Sequence, residues 1–194
     1  MEFTEKFIGQ TLEIISKIDI SLLDQIINEI AFIRENNGRL FFCGVGGSAG
    51  HASHAVNDFR KLVGIESYSP TDNVSEVTAR TNDEGWETVF TEFLKVSKLN
   101  EKDALFIMSV GGGSEDPPVS VNLVSAVKFA KSVGCKVLGI VGRGEGYTKV
   151  NGDFVLVIPN MGNENLTPHT EGLTSVIWHL MVSHPKLKKN ETKW

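Results

Sequence analysis

Over the first 37 residues apolar side chains recur at helical spacing: Phe3, Phe7, Leu12 and Ile15, then Leu22, Ile26, Ile27, Ile30, Phe32 and Ile33. This predicts two helices, the second capped by Asp19 or Ser21 and ended by Asn37-Gly38. Beyond them, short apolar runs alternate with helical patterns. Arg39–Cys43, Ala104–Ser109, Val137–Val141 and Phe154–Ile158 are nearly continuous apolar runs, as parallel strands buried on both faces require. A weaker strand is expected at Gly64–Ser69. Helices are predicted at Gly47–Leu62, Trp86–Val96, Ser120–Val133 and Glu171–Ser183. The alternation predicts an α/β fold, a three-layer αβα sandwich with a central parallel sheet of about five strands. Residues 1–194 read as one domain, with 1–37 as a helical pair suited to an oligomer contact and 185–194 as a polar tail. Ligands of such sheets bind beyond the carboxyl ends of the strands. That rule selects the loops starting at Gly44, Val110 and Gly142.

Composition narrows the classes. A chain of 194 residues, 41% hydrophobic and 22% charged, can bury one substantial core. A net charge of -5 gives no footprint for nucleic acid or a membrane surface. Lys186, Lys188, Lys189 and Lys193 form the one basic cluster and read as a solvated tail. No apolar run is long enough to span a bilayer, and the first residues are too acidic and polar for a signal peptide. Cys43 and Cys135 lie inside apolar runs and read as buried thiols, not a disulfide framework. A reducing cytoplasm is therefore expected.

Two glycine-rich turns carry candidate chemistry. Gly44-Val45-Gly46-Gly47-Ser48 joins a strand to a helix, where glycines admit a ligand close to the backbone and the helix N-terminus favours an anion. The same stretch satisfies a dinucleotide pattern through Gly44, Gly46 and Ala49, with Glu66 near the distance of a ribose-binding acid. The helical stretch before the strand, and the lack of length for a second domain, weigh against that use. A Walker loop is excluded, since no Gly-Lys-Ser/Thr follows. The second turn, Ser109-Val110-Gly111-Gly112-Gly113-Ser114, continues to Ser120, placed to cap the next helix. Together the two turns imply a phosphate held by hydroxyls and backbone amides.

All five histidines fall in two short segments, His51 and His54, then His169, His179 and His184. His54 and Asp58 are four apart and share a helix face. Glu171 and His179 are eight apart, about 12 Å along a helix and at the limit of joint reach. These four residues form either a two-histidine, two-carboxylate site for a divalent ion or a set of polar helix positions that never meet.

With these motifs in place, the sequence resembles the sugar-isomerase (SIS) domain family, in particular the phosphoheptose isomerases, over nearly the whole chain. The family's Gly-Asn-Gly-Gly-Ser turn corresponds to Gly44–Ser48. Its metal-binding His and Glu fall on His54 and Asp58, its Asn-Asp on Asn82-Asp83, and its C-terminal Gln and His on Glu171 and His179. The resemblance favours the metal site over the unrelated set, with Zn2+ as the expected ion. It implies an aldose–ketose isomerisation of a sugar phosphate, sedoheptulose 7-phosphate, through an enediol. By position, Asp58 and His179 are the implied acid–base pair, with Asp83 assisting ring opening, and His54, Asp58, Glu171 and His179 the ligand set. Gly46, Gly47, Ser48, Asn82, Ser109, Ser114 and Ser120 are implied in substrate and phosphate binding. A homotetramer with sites at subunit interfaces is implied too.

The chain departs from the pattern at named places. Asp58 replaces Glu, Glu171 replaces Gln, and Val45 replaces Asn. The phosphate loop Ser-Thr-Ser-Gly-Asn-Ser becomes Ser109-Val110-Gly111-Gly112, an insertion through Val119, then Ser120-Val121-Asn122, bringing in Glu115 and Asp116. A non-catalytic sugar-phosphate-binding SIS regulator is the second reading. The retained histidines and acids favour the enzyme.

Overall fold

The structure, a computed structural model, describes residues 2–192, so Lys193 and Trp194, the last two positions of the predicted tail, lie outside it. Helices α1 (Phe3–Ser16) and α2 (Ile20–Glu35) precede the sheet. Asp19 caps α2, its carboxylate accepting from the Leu22 amide at 2.9 Å. Asn37 closes the helix with a φ of 58°. Helix α2 buries Leu23, Ile26, Ile27, Ile30 and Ile33. Helix α1 buries Ile14 alone and leaves Phe3, Ile8, Leu12 and Ile15 exposed.

Five parallel strands follow: β1 (Leu40–Cys43), β2 (Ser67–Tyr68), β3 (Ala104–Ser109), β4 (Lys136–Val141) and β5 (Phe154–Val157), in the order β2-β1-β3-β4-β5. The period of two along each strand sorts the core into two layers. Phe42, Phe106, Met108 and Ile140 pack with α2, α3 (Gly47–Asp58) and α8 (Leu166–Ser183). Phe41, Leu105, Ile107 and Val137 pack with α5 (Val89–Val96) and α6 (Val121–Ser132). This is the αβα sandwich expected from the apolar runs. Both cysteines are free and buried, and burial pushes the Cys135 thiol up to about 12 and that of Cys43 still higher. Among the described residues no helix is long and apolar enough to cross a membrane.

The boundaries differ from expectation where local chemistry intervenes. Helix α3 stops at Asp58, and Phe59–Val63 form a π-helical turn ended by Gly64 at φ 67°. Strand β2 is two residues long at the sheet edge, and Pro70 opens a 3-10 turn just beyond it. Helix α8 starts at Leu166 rather than Glu171, because Pro168 lies in a first turn where its missing amide costs nothing. A helix not predicted, α4 (Val74–Asp83), is capped by Asn73 and buries none of its residues, so it has no apolar stripe to read. Helix α7 (Tyr147–Asn151) was also not predicted. The tail is not wholly solvated: Leu187 is buried, Arg34 Nη1 donates to its carbonyl at 2.7 Å, and the Lys189 and Asn190 amides donate to Leu62.

Candidate active site

Helices α3 and α8 lie side by side over the sheet and bring two sequence-distant segments together. His54 and Asp58, one turn apart on α3, meet His179 of α8 so that one ligating atom from each lies within 4.8 Å of the others. Asp58 Oδ2 stands 3.8 Å from His54 Nε2 and 3.9 Å from His179 Nε2. Those separations are too long for hydrogen bonds. They approach the spacing of about 3.4 Å between ligands of an ion held tetrahedrally by bonds of about 2.1 Å. The donors thus converge on a point without satisfying one another, which is what a divalent ion requires.

The surroundings fix this geometry. The Asp58 side chain is 3% exposed, against 58% for His54 and 47% for His179, so the carboxylate is rooted in the protein while both imidazoles reach solvent. The Asn57 side-chain amide donates to Asp58 Oδ1 at 2.8 Å and leaves Oδ2 to the histidines. His179 Nδ1 lies 2.7 Å from the Ser175 carbonyl, one helical turn back. A carbonyl only accepts, so Nδ1 is the donor here and Nε2 is the nitrogen turned toward Asp58. Buried Trp178 stacks on His179 with ring centroids 3.5 Å apart and meets His54 edge-on at 4.7 Å.

Glu171 does not join the three-residue cluster. Its carboxylate lies over the Gly47 Cα, 2.6 Å from where a Cβ would stand. Glycine at 47 is therefore what lets the acid descend onto the first turn of α3. Gly46, with φ 63° and ψ −126°, occupies a conformation that L side chains avoid, and it starts the helix. Its carbonyl accepts from the Ala49 amide at 3.0 Å. The first amides of α3, at Gly47 and Ser48, have no intrahelical acceptor.

The loop after β3 is organised differently. Ser109 Oγ accepts from the Gly112 amide at 3.0 Å. Ser114 pairs with Val119 as an antiparallel bridge closing the insertion, and its hydroxyl donates to the Asp116 carbonyl at 3.1 Å. Ser114 therefore spends its proton inside the insertion and does not present it as a replacement phosphate donor. Ser120 is at the N-cap of α6, but with φ 48° its side chain makes no capping bond. Its carbonyl accepts from Leu123 instead. Glu115 is paired with Lys128 at 2.6 Å.

Asn82 and Asp83 end α4, are exposed, and bond to each other at 2.6 Å. Within one chain neither bonds nor pairs with His54, Asp58 or His179. Sequence reasoning missed Ser175 and Trp178, which orient His179. Their signal was there in part, since Ser175 is one turn before His179 on the same helix face.

The sequence profile of the SIS domain matches residues 5–142. A phosphoheptose isomerase of Helicobacter pylori (strain P12) is 30% identical over 166 residues, covering 82% of this chain and 80% of that one. The structure of a phosphoheptose isomerase from Neisseria gonorrhoeae superposes with a TM-score of 0.77 at 23% identity, over 93% of this chain and 97% of that one. One from Francisella tularensis gives 0.79 at 21%, over 94% and 97%. These two likenesses are of fold. The profile match across most of the chain, together with the Helicobacter relative, places this protein in the SIS domain family.

Proposed function

We propose that this protein is a metal-dependent isomerase interconverting sedoheptulose 7-phosphate and D-glycero-D-manno-heptose 7-phosphate. The observation that carries the reading is the convergence of His54, Asp58 and His179 from two helices, in a chain similar to phosphoheptose isomerases. The reaction moves one proton from C1 to C2 and another between the two oxygens, passing through an enediol, so nothing is oxidised overall. It needs one group to carry the carbon-bound proton and one to serve the oxygens. His179, with Nδ1 committed to Ser175, can act only through Nε2. Asp58 offers the adjacent buried carboxylate, and these two form the acid–base pair. A divalent ion held by His54 and Asp58, with Glu171 completing the set by a side-chain rotation, would polarise the carbonyl and hydroxyl oxygens. His179 Nε2 would either hold the ion in the resting site or leave it to carry the proton, since one lone pair cannot do both. Zn2+ suits this nitrogen and oxygen donor set.

Gly46, Gly47, Ser48, Ser109 and Ser120 are read as the contacts of the sugar and its phosphate, and Asn82 and Asp83 as residues that reach the site from a neighbouring protomer. The apolar face of α1, with Phe3, Ile8, Leu12 and Ile15 exposed, supports a homotetramer. The two free buried thiols support a cytoplasmic location. All of residues 1–194 are taken as one SIS domain.

The test is an isomerase assay on sedoheptulose 7-phosphate beside metal analysis of the purified protein. We expect turnover, bound divalent ion, and a rise in melting temperature with added zinc. His179→Ala should lose both turnover and ion. Tight sugar-phosphate binding with no turnover by the metal-loaded protein would instead make it a binding regulator.

A further inference from the structure

At the carboxyl ends of β3 and β4, beside the serine-glycine loop, lies a cavity of about 420 Å³ lined by Gly111, Gly113, Ser114, Val119, Arg143 and Glu145, among others. The loop bearing Arg143 is bolted to the serine-glycine loop. The Tyr147 and Thr148 amides donate to the Gly113 and Gly112 carbonyls at 2.8 and 2.9 Å, and the buried Thr148 hydroxyl donates to Gly112 at 2.7 Å. Gly146 lies so close to the Gly111 carbonyl that a Cβ would stand 2.1 Å from its oxygen. The base of Arg143 is thereby fixed relative to the loop that the family reading assigns to phosphate.

The loop offers few free donors and carries negative charge. The Ser114 hydroxyl is given to the Asp116 carbonyl, and Glu115 and Asp116 lie in the insertion. Glu115 has its own counter-ion in Lys128. Among the residues lining this cavity Arg143 is the one cation, and its partner is Glu145 at 3.3 Å with both side chains largely exposed. An exposed pair of this kind contributes little and gives way to a stronger partner. A phosphate dianion is such a partner, because its oxygens match the two-pronged guanidinium and carry more charge than one carboxylate.

We propose that Arg143 is a specificity-determining, substrate-binding residue whose guanidinium holds the phosphate end of the sugar in this cavity and exchanges Glu145 for it. The assignment rests on the sugar-phosphate reading above and specifies which residue, in this remodelled loop, supplies the charge. Glu145 then acts as an internal competitor, its carboxylate held below the usual range by its own backbone amide and by Arg143.

The test is made on the full-length metal-loaded protein, with inorganic phosphate and sedoheptulose 7-phosphate as the probes, by calorimetry and by steady-state kinetics. Arg143→Gln should weaken binding of both by roughly 10- to 100-fold and raise KM correspondingly, with Arg143→Lys in between. Glu145→Gln should shift affinity the other way, tightening phosphate about two- to fivefold, a change that a merely structural role for the pair would not give. Unchanged phosphate affinity in Arg143→Gln, with an unaltered melting temperature, overturns the proposal. So does weakened binding in Glu145→Gln. Calorimetry needs no turnover, so a wild-type protein that binds phosphate through Arg143 but does not isomerise the sugar would sink the catalytic reading and keep this one.

Discussion

The turns after β1 and β3 look alike in sequence, both glycine and serine, and the fold places them on neighbouring strands. They differ in how their polar groups are satisfied. Around the first turn, atoms from far along the chain come close without bonding: Asp58 stops 3.8 and 3.9 Å from two imidazoles, and Glu171 lies against Gly47. Around the second, groups are satisfied locally. Ser109 accepts from Gly112, Ser114 donates to Asp116, and Glu115 pairs with Lys128. Buried or half-buried polar groups that lack partners need something the chain does not contain, whereas self-satisfied ones build scaffold. By that criterion the first region is the one we propose as the reaction centre. The second satisfies most of its own groups, and the binding charge we propose for it lies on Arg143 of the next loop.

The strongest way to break the contrast is at the convergent cluster. Asp58→Asn keeps shape and removes the charge facing both histidines. It should lower kcat/KM by at least about a thousandfold, equivalent to about 4 kcal/mol of transition-state stabilisation, and reduce the ion content on metal analysis. His51, on the same helix but outside the cluster, is the control. His51→Ala should stay within about twofold of wild type. Equal losses in both variants would show that the helix, not the cluster, matters.

A smaller effect is expected from Gly47→Ala. The new methyl would stand 2.6 Å from the Glu171 carboxylate, which can swing away because it is the far end of a flexible side chain. Alanine also favours a helical backbone over glycine by about 1 kcal/mol. Melting temperature should therefore hold or rise, while kcat/KM falls by roughly 10- to 100-fold through displacement of Glu171. Wild-type activity in this variant would remove Glu171 from the site.

The two regions also differ in how far the sequence discloses them. The sheet was legible because β3 and β4 are buried on both faces and read as unbroken apolar runs. The cluster was legible because His54 and Asp58 are one helical turn apart, and the family resemblance tied them to His179. Spacing alone set Glu171 and His179 at the limit of joint reach, and the structure indeed holds Glu171 apart from the other three. Helix α4 escaped because it buries nothing and so shows no periodicity. Arg143 escaped for another reason. Its position follows from bonds between Thr148 and Gly112, 36 residues apart, and no local pattern encodes a contact of that span.

The smallest effects come from the serines, and they separate the two regions most finely. Ser109 accepts one bond from Gly112 but keeps its own proton to donate, at the carboxyl end of β3 where we propose that the phosphate binds. Ser109→Ala should raise KM for the sugar phosphate about tenfold, the scale of one hydrogen bond to a charged group. Ser114 has already given its proton to Asp116. Ser114→Ala should loosen the insertion slightly and change KM by no more than about twofold. If instead Ser114→Ala costs as much as Ser109→Ala, its hydroxyl must turn from Asp116 to the substrate on binding. The second region would then be a site that rearranges around its ligand, not a rebuilt scaffold, and the burden placed on Arg143 would be shared.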